Sequence, residues 1–231
     1  MPKYYPIMLD IRKRQAVVVG GDRVAAEKAA ALSASGAYVT VISPEFCEEL
    51  LALSQQVTLR CKTYEYGDLA EAFVVVAATA HDPHLTELIY AETSQRRQLL
   101  NVVDVPERCN FIVPSILRRD QLTIAVSTEG TNPGLAKRIR QHLETLFPSA
   151  YGMYLRLATV VRSYLRKGGF SYAQRDDFFG DFFHSEVLQQ LAQHDEAAAL
   201  TTTVKLLHHY GLDIERETLT AGLEEQKQQD A

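Results

Sequence analysis

"QAVVVGGDRVAAEK", residues 15–28, decides the fold. Its opening apolar run does not alternate with polar residues, so it reads as a strand covered on both faces. Gly20 and Gly21 end the strand, an alanine-rich helix is expected over 23–35, and Gly36 is placed to stop it. Strand, glycine turn and helix in this order open a βαβ unit, where dinucleotide phosphates meet a helix N-terminus. In the pattern G-x-G-x-x-G/A, the first glycine makes the turn and the second lets backbone approach the pyrophosphate. The third small residue lets helix and strand pack closely. Gly20 and Ala25 fill the outer places, but Asp22 holds the middle one. A carboxylate a few ångströms from a phosphate costs roughly 1 to several kcal/mol, partly offset by the helix N-terminus. The competing reading is a βα turn that binds no nucleotide.

Working outward, the alternation continues. "YVTVIS" (38–43), "VTLRCKTY" (57–64), "AFVVVAATA" (72–80) and "LLNVVDV" (99–105) read as strands. "PEFCEELLALSQQ" (44–56) and "PHLTELIYAETSQRR" (83–97) read as helices, the first with proline and acids at its start. The class is α/β, a Rossmann-like doubly wound parallel sheet with right-handed crossovers. Such sheets bind ligands beyond the carboxyl ends of their strands. An acid ending the second strand would hold ribose hydroxyls. Here the strand ends at Ser43, which offers a weaker contact, and Glu45 is assigned to the first turn of the next helix.

Past residue 112 the pattern changes. "QLTIAVST" (121–128) alternates as a half-buried antiparallel strand does. "TNPGLAKRIRQHLETLF" (131–147) has Asn132 as N-cap and Pro133 at the first helical position. Units this short bury little alone, so pairing with a second copy is expected. From Tyr151 onward only helices are expected, broken at 166–171 and near Gly211, with "EEQKQQDA" frayed. The division anticipated is 1–113 for dinucleotide binding, 114–149 for dimerisation and 150–231 for a helical domain.

The chain has 231 residues and a net charge of −5. Residues 118–167 carry nine Lys/Arg against three acids, whereas 168–231 carry four against twelve. A basic middle within an acidic chain suggests an anionic ligand or an internal partner. Three widely spaced cysteines argue against a disulfide framework and for a reducing cytoplasm. No apolar run reaches the ~20 residues needed to span a bilayer, and the N-terminus lacks the pattern of a secretory signal. Neither a membrane nor a nucleic acid is expected as partner. No Cys/His cluster marks a metal site; His81 and His84 read as loop residues, the competing reading being contact with iron or a propionate.

The motifs "VVGG-x-x-VA-x-x-K", "NVVD" (101–104), "F-x-x-PS" (111–115) and "STEGTNP-x-LA-x-x-IR" (127–140) together resemble the siroheme-synthase family, over about residues 5–165. The resemblance implies the precorrin-2 dehydrogenase type: NAD⁺ takes hydride from precorrin-2 to give sirohydrochlorin, and some members then insert Fe²⁺. It implies an intertwined homodimer with a helical C-terminal domain. It gives Asp104 the catalytic role, and places the cofactor against Gly20, Gly21, Asp22, Arg23, Val24, Ala25, Ser43, Pro44, Thr79 and Val103. The substrate carries eight carboxylates, for which Arg118, Arg119, Asn132, Lys137, Arg138 and Arg140 are candidates. The chain departs from the family at Asp22, usually a third glycine, and at Asn132, often serine. Two alternatives follow from Asp22: a chelatase that has lost its dinucleotide, or a non-catalytic tetrapyrrole-binding homodimer.

Overall fold

A computed structural model describes residues 3–79 and 81–229. The chain forms two compact units. One takes the residues up to Val113 with Glu129–Thr131; the other takes Pro114–Thr128 and Asn132 onward.

The first unit is a parallel sheet of β1 (Gln15–Val19), β2 (Tyr38–Ser43), β3 (Thr58–Cys61), β4 (Val74–Ala77) and β5 (Leu99–Val102). Its order is β3-β2-β1-β4-β5, so the topology reverses direction between β1 and β4. Every pairing is parallel and in register, with Val19 opposite both Ile42 and Ala77. β1 is buried on both faces, as its unbroken apolar run requires. Ala16 and Val18 face one cluster, where α1 (Arg23–Ala34) contributes Ala25, Ala26 and Ala29. Val17 and Val19 face the other, with Leu69, Val75, Leu100 and Ile89 of α3 (Pro83–Arg96). Three alanines on the buried stripe of α1 bring helix and strand close together. Gly36 follows the helix with φ +82°, the left-handed stop expected of it.

Several elements are shorter than the sequence reading: β3 ends at Cys61 and β5 at Val102. The helix expected over 44–56 is one short α2 (Glu48–Ala52), capped at Cys47. Its first-turn acids are Glu48 and Glu49, so Glu45 lies in the loop before it and does not complement the helix dipole. The apolar run over 72–80 is strand only at 74–77, and Ala80 lies outside the described residues.

A buried carboxylate ties the loop after β3 to α3. Glu92 is fully buried and accepts from Tyr64 Oη (2.6 Å), Gly67 N–H (2.9 Å) and Arg96 Nε (3.0 Å). Burial and this carboxylate push the Tyr64 hydroxyl well above its usual range.

In the second unit, β6 (Ser115–Arg119) and β7 (Leu122–Val126) form an antiparallel hairpin. The strand read at 121–128 therefore finds its partner within the chain. α4 (Pro133–Leu146) packs on it, followed by α5 (Ala150–Lys167), α6 (Tyr172–His184), α7 (Val187–Ala192), α8 (Glu196–His209) and α9 (Arg216–Gln229). Phe178, Phe182, Leu157, Leu165, Leu207 and Leu219 are fully buried in one core. The tail expected to fray is helical through Gln229, anchored by Leu219 and Leu223 against that core. Its apolar pair is too sparse to stand out among the charges around it.

Replacing Glu92 with Ala leaves the buried Tyr64 hydroxyl without an acceptor and removes the acceptor of the Gly67 N–H and the partner of Arg96. Urea denaturation will show a loss of about 2–5 kcal/mol, with the low end if water enters the site.

Candidate functional site

The site begins at the turn after β1. Gly20 has φ +136°, and a Cβ there would sit 2.8 Å from the Ala78 carbonyl oxygen at the end of β4. A Cβ on Gly21 would sit 1.9 Å from the Glu45 carbonyl oxygen, deep inside contact distance. The Cys47 N–H reaches back to the Gly21 carbonyl at 2.8 Å, and Gly20 N–H donates to Ile42 O at 3.0 Å. Both glycines are thus demanded by the protein's own backbone, which closes tightly over the start of α1.

Asp22 is the N-cap of α1. Its Oδ1 accepts the Ala25 N–H at 2.9 Å, and its carbonyl accepts the Ala26 N–H at 3.1 Å. The N–H groups of Arg23 and Val24, in the first turn, have no acceptor within the helix. These donors, the positive end of the dipole and the exposed guanidinium of Arg23 fit a pyrophosphate. Arg23 Nε lies 3.8 Å from Glu27 and 3.9 Å from Glu49, both loose and exposed pairs. Asp22 occupies one donor that a glycine there would leave open, and it adds a negative charge beside the others. The turn therefore fits a dinucleotide with weakened grip.

The other expected cofactor residues divide. Val24 and Pro44 are exposed beside the turn, and Ala25 is buried as the packing residue. Ser43 is buried with its hydroxyl facing Gly21. Val103 extends the sheet with N–H to Ala77 O at 2.9 Å. Thr79 points inward: it is 2% exposed and its hydroxyl lies 2.8 Å from that of Thr86. Its side chain serves the packing of α3 on β4 and is not open to a ligand. Nothing in its sequence context distinguishes that role.

Asp104 lies just beyond β5, at the carboxyl edge of the sheet. It is exposed, has φ +60°, and its carboxylate has no hydrogen-bond partner among the described residues. Left-handed backbone at a non-glycine residue is sparsely populated. Neighbouring groups hold the turn. Cys109 Sγ meets the Val102 N–H and carbonyl, each at 3.2 Å, and burial pushes its thiol up, so it stays a donor. Asn101, the asparagine of "NVVD", donates to Phe111 O at 3.1 Å. Asn110 exchanges hydrogen bonds with Leu100 and donates its side-chain amide to the Gln98 carbonyl. Sequence reasoning singled out Asp104 but missed Cys109 and Asn110, whose roles depend on a segment folding back onto β5.

The basic candidates lie in the second unit. Arg118, Lys137 and Arg138 are exposed and make no ion pair among the described residues. Arg119 gives its Nε to Phe147 O at 2.8 Å, tying β6 to the end of α4. Arg140 is paired with Glu144 one turn along. Those two guanidiniums are engaged by the chain itself. Asn132 caps α4 by accepting the Leu135 N–H at 2.9 Å, as read from the sequence. His81 and His84 are exposed. No group of three or more His, Cys, Asp or Glu residues suited to a metal occurs among the described residues.

Fold and turn together define a dinucleotide-binding α/β unit of the NAD(P) type, followed by a mostly helical unit. Residues 7–115 match a family described as putative NAD(P)-binding, and residues 119–146 match one described as sirohaem biosynthesis protein central. By these two matches the chain is similar to the siroheme-synthase family. It is 37% identical over 196 residues to a siroheme synthase of Methylobacillus flagellatus, covering 84% of this chain and 42% of that one. It is 34% identical over 222 residues to siroheme synthase 2 of Pectobacterium atrosepticum, covering 95% and 48%. The chain thus spans less than half the length of these relatives. A solved structure of SirC, a precorrin-2 dehydrogenase, shares the fold at TM-score 0.69 and 24% identity, covering 90% of this chain and 99% of that one.

Removing the Asp22 charge will tighten NAD⁺ binding by about five- to tenfold, the size of one partly screened repulsion. Asp22→Asn keeps the cap and Asp22→Gly lowers helix stability by only a few tenths of a kcal/mol. Titration calorimetry on both variants checks this; unchanged or weaker binding in both contradicts it.

Proposed function

We propose that the chain is an NAD⁺-dependent dehydrogenase that converts precorrin-2 to sirohydrochlorin. The observation that carries this reading is Asp104: an exposed carboxylate, without a protein partner, held in left-handed backbone at the ligand-binding edge of the sheet. The siroheme-synthase relatives and the precorrin-2 dehydrogenase fold support the same substrate class.

When bound, NAD⁺ supplies the hydride acceptor. The first turn of α1 holds the pyrophosphate through Arg23 and Val24 N–H groups, while Gly20 and Gly21 keep the backbone low enough for it to approach. Asp104 accepts the proton released as the macrocycle is oxidised, which a positioned carboxylate does in general acid–base catalysis. Arg118, Lys137 and Arg138, which make no ion pair among the described residues, are the groups proposed for substrate carboxylates.

The assembly proposed is a homodimer. Leu135, Ile139 and Leu146 stand exposed on α4, and Ile116 on β6. An amphipathic helix beside a two-stranded hairpin leaves an apolar face that a second copy would cover. The proposed setting is the cytoplasm, in keeping with three cysteines that are all free thiols. No helix among the described residues is long and apolar enough to cross a membrane.

Asp104→Asn keeps a side chain that tolerates left-handed backbone but removes the proton acceptor. Incubated with precorrin-2 and NAD⁺, the variant will form NADH about 10²–10⁴-fold more slowly, with NAD⁺ affinity unchanged. Turnover at the parent rate would remove Asp104 from the reaction. Metal insertion into sirohydrochlorin without any NADH formation by the parent protein would favour a chelatase instead.

A further inference from the structure

The helical unit contains a pocket of about 490 Å³ between α5 and α6, lined by Arg162, Arg166, Tyr172, Arg175, Asp176, Phe179 and Phe183. Its construction follows from spacing. Arg162 and Arg166 are one turn apart on α5. Tyr172, Arg175, Asp176, Phe179 and Phe183 recur at three- and four-residue steps on α6, so they share one face. The break at 168–171 reverses the chain and sets the two faces together. There Gly169 has φ +77°, and a Cβ on Gly168 would sit 2.9 Å from Leu212.

Three guanidiniums meet one carboxylate here, and none of the three is within ion-pair distance of any acid among the described residues. The pairs that do form in this unit involve other residues, such as Arg156 with Asp120 at 2.7 Å. Like charges one turn apart on a helix repel. The cluster is nonetheless ordered by the chain: Arg162 lies over the Phe179 ring at 5.3 Å, and Arg175 Nη1 donates to Phe170 O at 2.5 Å. Two aromatic walls are left open, with Tyr172 78% and Phe183 60% exposed. Exposed rings and unpaired guanidinium forks on one concave surface make an arrangement for an anion that also has a flat apolar body.

We infer that this pocket binds an aromatic polycarboxylate, with Arg162, Arg166 and Arg175 on its carboxylates and Tyr172, Phe179 and Phe183 against its ring. The volume suits a single ring with its acid groups, or one edge of a larger macrocycle. The inference does not rest on the dehydrogenase reading, because every residue it uses lies in the helical unit.

The probe is benzenehexacarboxylate, titrated into the full-length chain by calorimetry, with citrate as a ring-free control. The expected result is binding at one site per chain, weaker for citrate, and weakened about tenfold or more in Arg162→Gln/Arg166→Gln. Both arginines are exposed, so this variant keeps its melting temperature within a few degrees. Phe183→Ala will weaken the ring-bearing probe but not citrate. Competition by uroporphyrin, an octacarboxylate porphyrin, identifies the natural occupant as a tetrapyrrole; binding that uroporphyrin leaves untouched identifies a separate aromatic acid. Equal binding by parent and double variant, or citrate binding as tightly as the ringed probe, overturns the inference. Asp104→Asn will leave probe binding intact, so this site and the dehydrogenase reading fail separately.

Discussion

The turn after β1 is governed by how closely three stretches of backbone approach one another. Gly20 lies against the end of β4 and Gly21 against the loop that follows β2, each at a distance that excludes a side chain. That contact places α1 over the sheet at the point where strand order reverses. It fixes where the helix N-terminus points, and with it the orientation of the donors available to a phosphate. The alanines of α1 belong to the same constraint, since a larger residue at 25, 26 or 29 would push the helix off β1. Glycines in such a turn are commonly explained by a ligand's demand for space. Here the protein's own carbonyls already require both.

Within this frame Asp22 has an evident structural purpose. Its carboxylate satisfies a helix N–H and complements the dipole, much as a bound phosphate would. A residue that supplies an internal anion stabilises the empty turn and competes with an external one. Arg23, immediately next to it, restores some positive charge at the rim. Asp22 thus exchanges affinity for stability of the unliganded fold. At the opposite side of the same edge, Asp104 is handled in the reverse manner: its backbone is constrained, its neighbours are tied down by Cys109 and Asn110, and its carboxylate is left open.

Much of this was legible in the sequence. Unbroken valine runs give two-faced burial, so the parallel sheet and its glycine turn could be read from composition and period, while Asp104 was singled out by the family resemblance. Asn132 as N-cap followed from its position before Pro133. What escaped was set by distant backbone. The short α2 was read too long because apolar residues continue past Ala52 into a loop that packs them. Thr79 was placed against the cofactor by the family resemblance, yet its hydroxyl meets that of Thr86 in the first turn of α3 and is turned inward. The pairing of β7 with β6 was missed because "SILRR" has only one buried residue, Leu117, and so carries little strand signal. The basic segment suggested anion binding, but charge counting does not say which arginines the chain has already engaged. Arg119 and Arg140 are engaged through a hydrogen bond and an ion pair, whereas Arg162 and Arg166 have no ion-pair partner among the described residues.

The central claim is that the first turn of α1, with Asp22 as its cap, is where a dinucleotide's phosphates are held. Backbone amide NMR of the full chain, titrated with NAD⁺, tests it most directly. The account predicts the largest shifts at Gly20 to Val24, with smaller ones at the ends of β4 and β5. Saturable shifts confined to other parts of the chain, with the amides of Arg23 and Val24 unmoved, would contradict it.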